Sequence, residues 1–311
     1  GHALDTTRHT VRINNADATL NVSDVPLIKT VTLTKTSADV SITNGNSNYS
    51  LAGAVYNVYV ANGDPNHDYS KDTVVATFTT GANGKAVLSR PLKPNTRYAI
   101  KERTAPKGYV LDKEVHTFFL TYDSNTMDVV DDPTKIRLTV RKKDSETNAS
   151  TAQGNASLEG AQYKISYTNG GKKIEEVITT NAAGSATLRG LPIGVTVTVQ
   201  EIAAPAGYKL DSRVHTYVTT TKTEKIEYDL EPEDFTEDVF KGHIQIIKQI
   251  EMLGADAQLE QGAEYQVYLK SAGSYNAAKD TERDYLVTGA DGKSITKDLP
   301  YGTYTLHQVK G

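Results

Sequence analysis

The chain has 311 residues, 38% of them hydrophobic and 23% charged, with a formal net charge of −4. That balance excludes a basic footprint for nucleic acid or a membrane surface, and the absence of cysteine excludes a disulfide framework and any thiolate metal site. No apolar run approaches the length of a membrane span, so no membrane insertion is expected in this segment, and the N-terminus lacks signal-peptide character.

The opening residues, GHALDTTRHTV, match segments that recur at GYVLDKEVHTF (108–118) and GYKLDSRVHTY (207–217). His9, His116 and His215 each follow Asp5, Asp112 and Asp211 by four residues, which predicts a structural role at a strand start. Residues 1–26 are thus expected to be the C-terminal strands of a preceding, incomplete unit. Next comes an alternating strand ending in Lys35 (VTLTK), then LAGAVYNVY (51–59), a small-residue turn GANGKA (81–86) and LKPNTRYAIKE (92–102). The same order returns with IRLTVRK to Lys142, LEGAQYKIS (158–166), NAAGSA (181–186) and LPIGVTVTVQE (191–201). It starts a third time with HIQIIK to Lys248, LEQGAEYQVY (259–268), GADGKS (289–294) and LPYGTYTLHQ (299–308). The repeat predicts whole units at 27–134 and 135–242 and an incomplete third at 243–311.

Nearly every segment alternates at period two, is rich in Val, Thr, Ile and Tyr, and is punctuated by Gly, Asn and Pro. The fold class is therefore all-β: tandem immunoglobulin-like β-sandwiches of about seven strands per unit. Short connections without a flexible linker predict an elongated rod. Only KKIEEV (172–177) and DAQLEQ (256–261) are candidates for single helical turns.

Two charged positions break the pattern. Lys35 shares a strand face with Val31 and Leu33, and Lys142 shares one with Leu138 and Val140. Glu102 lies on the face of Tyr98 and Ile100, and Glu201 on that of Val197 and Val199. The plain alternative is a rim ion pair, or side chains reaching back to water. A third group makes chemistry available: MDVVDDP places Val129 and Asp131 on one face, and LNVSDVP does the same for Val22 and Asp24. In a dry core, desolvation favours a neutral amine and neutral carboxyls. The amine then attacks the Asp carboxyl while a protonated Glu polarises it and relays protons to the departing water. The product is an amide between side chains, formed once and without a cofactor.

The ordered set of strand-Lys, LxGAxYxVY, LPxGxY, ExxAPxGYxLD (ERTAPKGY at 102–109, EIAAPAGY at 201–208) and terminal Asp-x-Pro resembles the CnaB-type, SpaA-like, prealbumin-like repeats of Gram-positive surface adhesins and pilins, over essentially the whole chain. The resemblance implies a self-formed isopeptide bond between Lys and Asn or Asp, assisted by Glu, in a secreted protein anchored to the cell wall. In unit one it assigns Lys35 and Asp131 to the cross-link and Glu102 to catalysis. In unit two it assigns Lys142 and catalytic Glu201. There Leu230 aligns with Asp131, and the nearest carboxylate, Asp229, is one residue away. A one-residue offset reverses the face, so a Lys142–Asp229 link requires a bulge. Unit three carries Lys248 but Gln308 in place of the Glu, and no reaction is expected there.

Rival features are weak. Asp64, Asn66 and Asp68 alternate in NGDPNHDYS at a spacing that suits calcium ligands, but an ordinary polar turn accounts for them. Neither a nucleophile elbow nor a phosphate-binding loop is present, so no enzyme acting on an external substrate is expected, and neither cofactor nor metal. The expected function is a structural stalk or pilin-like segment. The alternative is an adhesive module whose loops at 60–75 and 275–285 contact a host extracellular protein or glycan. The incomplete ends also raise head-to-tail self-association, in which one molecule's 1–26 completes the third unit of the next.

Overall fold

The computed structural model describes residues 2–25, 28–122, 126–232, 234–252 and 254–311. Residues 2–25 form no β-strand and are exposed. From residue 28 onward, strands follow one another as the alternating pattern predicts.

Unit one contains β1 (Thr32–Ser37), β2 (Val55–Val60), β3 (Ala76–Thr79), β4 (Lys85–Val87), β5 (Thr96–Thr104), β6 (Val115–Leu120) and β7 (Thr126–Asp131). One sheet runs β4-β1-β7 and the other β3-β2-β5-β6. Their inner faces meet in a core built on Leu33, Tyr56, Phe78, Ile100 and Leu120. The first and last strands lie side by side and parallel, with Lys35 opposite Val129 and Ser37 opposite Asp131. This pairing brings the two ends of the unit's sequence onto one inner face.

Unit two contains β8 (Lys135–Asp144), β9 (Gln162–Asn169), β10 (Lys172–Thr179), β11 (Ser185–Leu191), β12 (Thr196–Ala203), β13 (Val214–Val218), β14 (Glu227–Leu230) and β15 (Phe235–Glu237). The sheets are β10-β9-β12-β13 and β11-β8-β14, with β15 also paired to β8. The KKIEEV segment is thus part of a strand, β10, rather than a turn of helix. It sits at a sheet edge with most of its side chains in solvent, which explains its polar composition. Both β14 and β15 run parallel to β8, but the register slips between them: Leu230 faces Leu138, while Phe235 faces Lys142. The closing strand is broken by one extra residue.

Unit three begins two residues ahead of the repeat boundary at 243, because β16 (Lys241–Gly242) pairs with β23 (Leu299–Pro300); it also contains β17 (Gln245–Ile247), β18 (Gln249–Met252), β19 (Ala255–Leu259), β20 (Glu264–Leu269), β21 (Arg283–Val287), β22 (Lys293–Ile295) and β24 (Tyr304–Lys310). The segment holding DAQLEQ supplies β19, a strand of the β18–β19 hairpin, and not a helical turn. Among the described residues, β17 pairs only with β22, so the edge that receives a parallel closing strand in the other units carries none.

Successive units meet through packed junctions. A short helix, α1 (Val40–Thr43), is started by Asp39 accepting from the Ser41 amide, and its Ile42 joins Tyr49 and Tyr109 in unit two's core. The Tyr49 hydroxyl donates to the Thr134 carbonyl at 2.7 Å and accepts from the Ile193 amide at 2.9 Å. The next junction is held by an asparagine instead: the Asn155 amide donates to the Tyr301 carbonyl, and its side chain accepts from the Thr303 amide.

Candidate functional site

In unit one, β1 turns Lys35 inward in line with Val31 and Leu33, as its alternation predicts, and Lys35 has no exposed surface. From the opposite sheet, β5 presents Glu102, whose Oε1 accepts from Lys35 Nζ at 2.9 Å. On the other flank β7 presents Asp131, which forms an ion pair with the same amine. All three side chains are fully buried. The second carboxylate oxygen of Glu102 accepts from the Asp112 amide at 2.8 Å, which fixes the carboxyl against rotation. The recurring Asp–His pair is part of this support: the Asp112 side chain contacts His116 Nε2 at 2.5 Å. Burial pushes the Glu102 and Asp131 carboxyls above their ordinary values, against the downward pull of Lys35.

Unit two builds the same arrangement with one substitution that the sequence reading missed. Lys142 is fully buried and donates to Glu201 Oε1 at 2.7 Å, while Glu201 Oε2 accepts from the Asp211 amide at 2.8 Å. The expected acyl partner, Asp229, is not there. It lies on the outer face of β14, roughly half exposed, with Arg137 Nε 2.6 Å from its carboxylate. That guanidinium holds the Asp229 carboxyl below its ordinary value. The closing-strand carboxyl that pairs with Lys142 is instead Glu237 on β15, buried and with neither oxygen hydrogen-bonded elsewhere among the described residues. Burial lowers the pKa of the Lys142 amine.

The register explains why Glu237, and not Asp229, faces Lys142. Asp131 lies two residues beyond the partner of Lys35, and Glu237 lies two residues beyond the partner of Lys142. Each is also two residues before a bridge to the Tyr of the GY motif, Tyr109 to Pro133 and Tyr208 to Val239. The extra residue between β14 and β15 leaves Asp229 outside and turns Glu237 inward. The signal was in the sequence: VVDDPTK and FTEDVFK align over their whole length when the final Lys135 and Lys241 are matched.

Unit three is different. Lys248 Nζ donates to Gln308 Oε1 at 3.3 Å and lies 3.6 Å from Glu260, with a quarter of its side chain exposed. No carboxyl faces it from a closing strand among the described residues. The alternating NGDPNHDYS carboxylates serve turns: Asp64 and Asp68 each accept from the amide two residues on.

Tandem β-sandwiches, the first two of which hold a buried Lys between a Glu and a second carboxyl at the closing strand, define the class of domain. The SpaA prealbumin-like fold domain model matches residues 30–135 and again 137–234, so the chain belongs to that family. The first match holds Lys35, Glu102 and Asp131; the second ends just before Glu237. Among solved structures, the Bacillus anthracis TIE protein is similar at 22% identity and a TM-score of 0.54, over 93% of this chain and 46% of that one. The chain therefore spans about half the length of that relative. A Streptococcal ancillary pilin is similar at 16% identity and a TM-score of 0.33, over 91% and 90% of the two chains. The shaft pilin SpaA from Lactobacillus rhamnosus GG is similar at 19% identity and a TM-score of 0.27, over 69% and 98%. No curated protein sequence matches the chain significantly.

Proposed function

We propose that the chain is a load-bearing stalk segment of a Gram-positive cell-surface protein, pilin-like or adhesin-bearing, whose units close themselves with amide bonds. The observation that carries this reading is the burial of Lys35 between Glu102 and Asp131, with Asp131 on the strand that lies parallel to its own. Three ionisable groups in a dry core cost more than they return as an ion pair. Amide formation between Lys35 and Asp131 removes two of the charges. The same reasoning makes Lys142–Glu237, with Glu201 as proton relay, the link of unit two. In this reading the chemistry is single-turnover and internal, not directed at an outside substrate, and anchoring to the cell wall is what the family resemblance implies.

Intact mass tests the proposal. The wild-type chain should weigh two water molecules less than its sequence. Glu102→Ala or Lys35→Ala should restore one water, and so should Glu237→Ala. Asp229→Ala should leave both links in place. A wild-type chain at full sequence mass would remove the cross-linking reading, and water restored by Asp229→Ala would remove the Glu237 assignment.

A further inference from the structure

Unit one contains one polar group at its reaction centre that the roles of Lys35, Glu102 and Asp131 leave unused. Tyr56 stands on β2 directly opposite Glu102, and its side chain is fully buried. Lys35 Nζ donates to the Tyr56 hydroxyl at 2.5 Å, and that hydroxyl donates in turn toward Asp131 Oδ1 at 3.5 Å. The phenol thus touches both the nucleophile and the electrophile. Unit two offers an internal comparison. Tyr163 occupies the same place opposite Glu201 and is equally buried, yet its hydroxyl has no hydrogen-bond partner among the described residues. The Lys35 amine lies 4.9 Å from the Tyr56 ring centre, and the Lys142 amine lies 6.0 Å from that of Tyr163. A buried hydroxyl costs free energy unless it is bonded, and a phenylalanine would fill either site as well.

We propose that Tyr56 is a catalytic residue of amide closure in unit one, holding the Lys35 amine in line and donating a hydrogen bond to the Asp131 oxygen that becomes the oxyanion. The inference rests on the cross-linking reading above. Its steps balance without a co-reactant. One ammonium proton passes from Lys35 to Asp131 Oδ2. Nζ then attacks Cγ, and the displaced electron pair moves to Oδ1, where the Tyr56 hydroxyl stabilises it. On collapse, a second proton leaves the nitrogen, reaches Oδ2 through Glu102, and the Cγ–Oδ2 bond breaks to release water. The third proton stays on the amide nitrogen, and Tyr56 keeps its own. The 3.5 Å contact suits this role, because such donors tighten as charge develops on the oxygen. Burial, reinforced by the nearby Asp131 and Glu102 charges, pushes the phenol's pKa up, so it remains a donor at any physiological pH.

The test follows both links in one molecule. The full chain is recovered unfolded and unlinked, refolded by dilution, quenched at intervals and digested. Peptides joining Lys35 to Asp131 and Lys142 to Glu237 are then quantified by mass spectrometry. Tyr56→Phe should slow the unit-one link on the order of 100-fold, the effect of removing one oxyanion donor, while the unit-two link forms at its usual rate and confirms that the chain has refolded. Tyr163→Phe should leave the unit-two rate unchanged. Fluorinated tyrosine at position 56 keeps the packing and should speed closure as the phenol becomes more acidic, which a merely structural hydroxyl would not do. Closure of the Tyr56→Phe chain at the wild-type rate, or a rate insensitive to phenol acidity, overturns this proposal alone. A wild-type chain that refolds with neither linked peptide overturns it together with the cross-linking reading.

Discussion

Lys35, Glu102 and Asp131 share one enclosure, and this fixes when the enclosure can react. The reactive form has a neutral amine and two protonated carboxyls, which carries the same protons as an ammonium–carboxylate pair beside a neutral Glu102. Raising the pH removes the Glu102 proton and stops the relay. Because burial raises the Glu102 pKa, that proton is held to a higher pH than in an exposed glutamate. The sign follows: closure should be fast below the raised pKa of Glu102 and fall away as pH rises through it. Timed refolding across a pH series should show this limb in the wild type. A rate that keeps rising with pH would mean that amine deprotonation alone controls the step. The triad's inward faces were legible in the sequence because period-two alternation assigns a face to every residue of a regular strand. Glu237 escapes alternation, which fails across a strand whose register breaks, and only the alignment of VVDDPTK with FTEDVFK points to it.

At the scale of elements, the break between β14 and β15 decides which carboxyl is used, and the small-residue turns decide where the lysine sits. Gly84 has φ +73°, its carbonyl accepts from the Lys35 amide at 2.8 Å, and a Cβ added there would clash with the Lys35 carbonyl oxygen. Gly184 and Gly292 stand in the same relation to Lys142 and Lys248, each with a Cβ contact of 2.8 Å. The GANGKA, NAAGSA and GADGKS turns are therefore seats for the lysine strands as well as reversals of the chain. Gly84→Ala should destabilise unit one by roughly 1–3 kcal/mol, the cost of a non-glycine residue forced into this region. It should also delay its link, because the strand carrying Lys35 must shift. Thermal unfolding together with the linked-peptide assay checks both; an unchanged melt would mean that the turn simply relaxes. The turns and strands were plain from Gly, Pro and alternation. Helix α1 was not, because four residues offer no periodicity, and its one buried side chain, Ile42, is fixed by packing on the next unit. The polar edge strand β10 misled for the opposite reason: it pairs along its length while burying little.

Across the whole molecule, parallel first and last strands set the response to force. Tension enters a unit at the start of its Lys-bearing strand and leaves at the end of its closing strand, so it shears the hydrogen bonds between them. With the Lys35–Asp131 amide in place, load passes from residue 35 to 131 through side chains, and residues 36–130 carry none of it. Load then runs along the backbone to Lys142 and crosses to Glu237. The amides would thus join into one covalent line through both units, braced at the junction by Ile42 and Tyr49. Each link also closes a loop of about 100 residues, worth about 4.7 kcal/mol by the chain-entropy estimate, comparable to the stability of a small domain. Unit three has no closing-strand carboxyl facing Lys248 among its described residues and no such path. Single-molecule stretching of the chain should therefore give extension from unit three alone. Glu237→Ala should add one unfolding event at unit two, and Glu102→Ala one at unit one. If the wild type extends through all three units, load is carried by hydrogen bonds alone and the bracing argument fails, whatever the domains do in other respects.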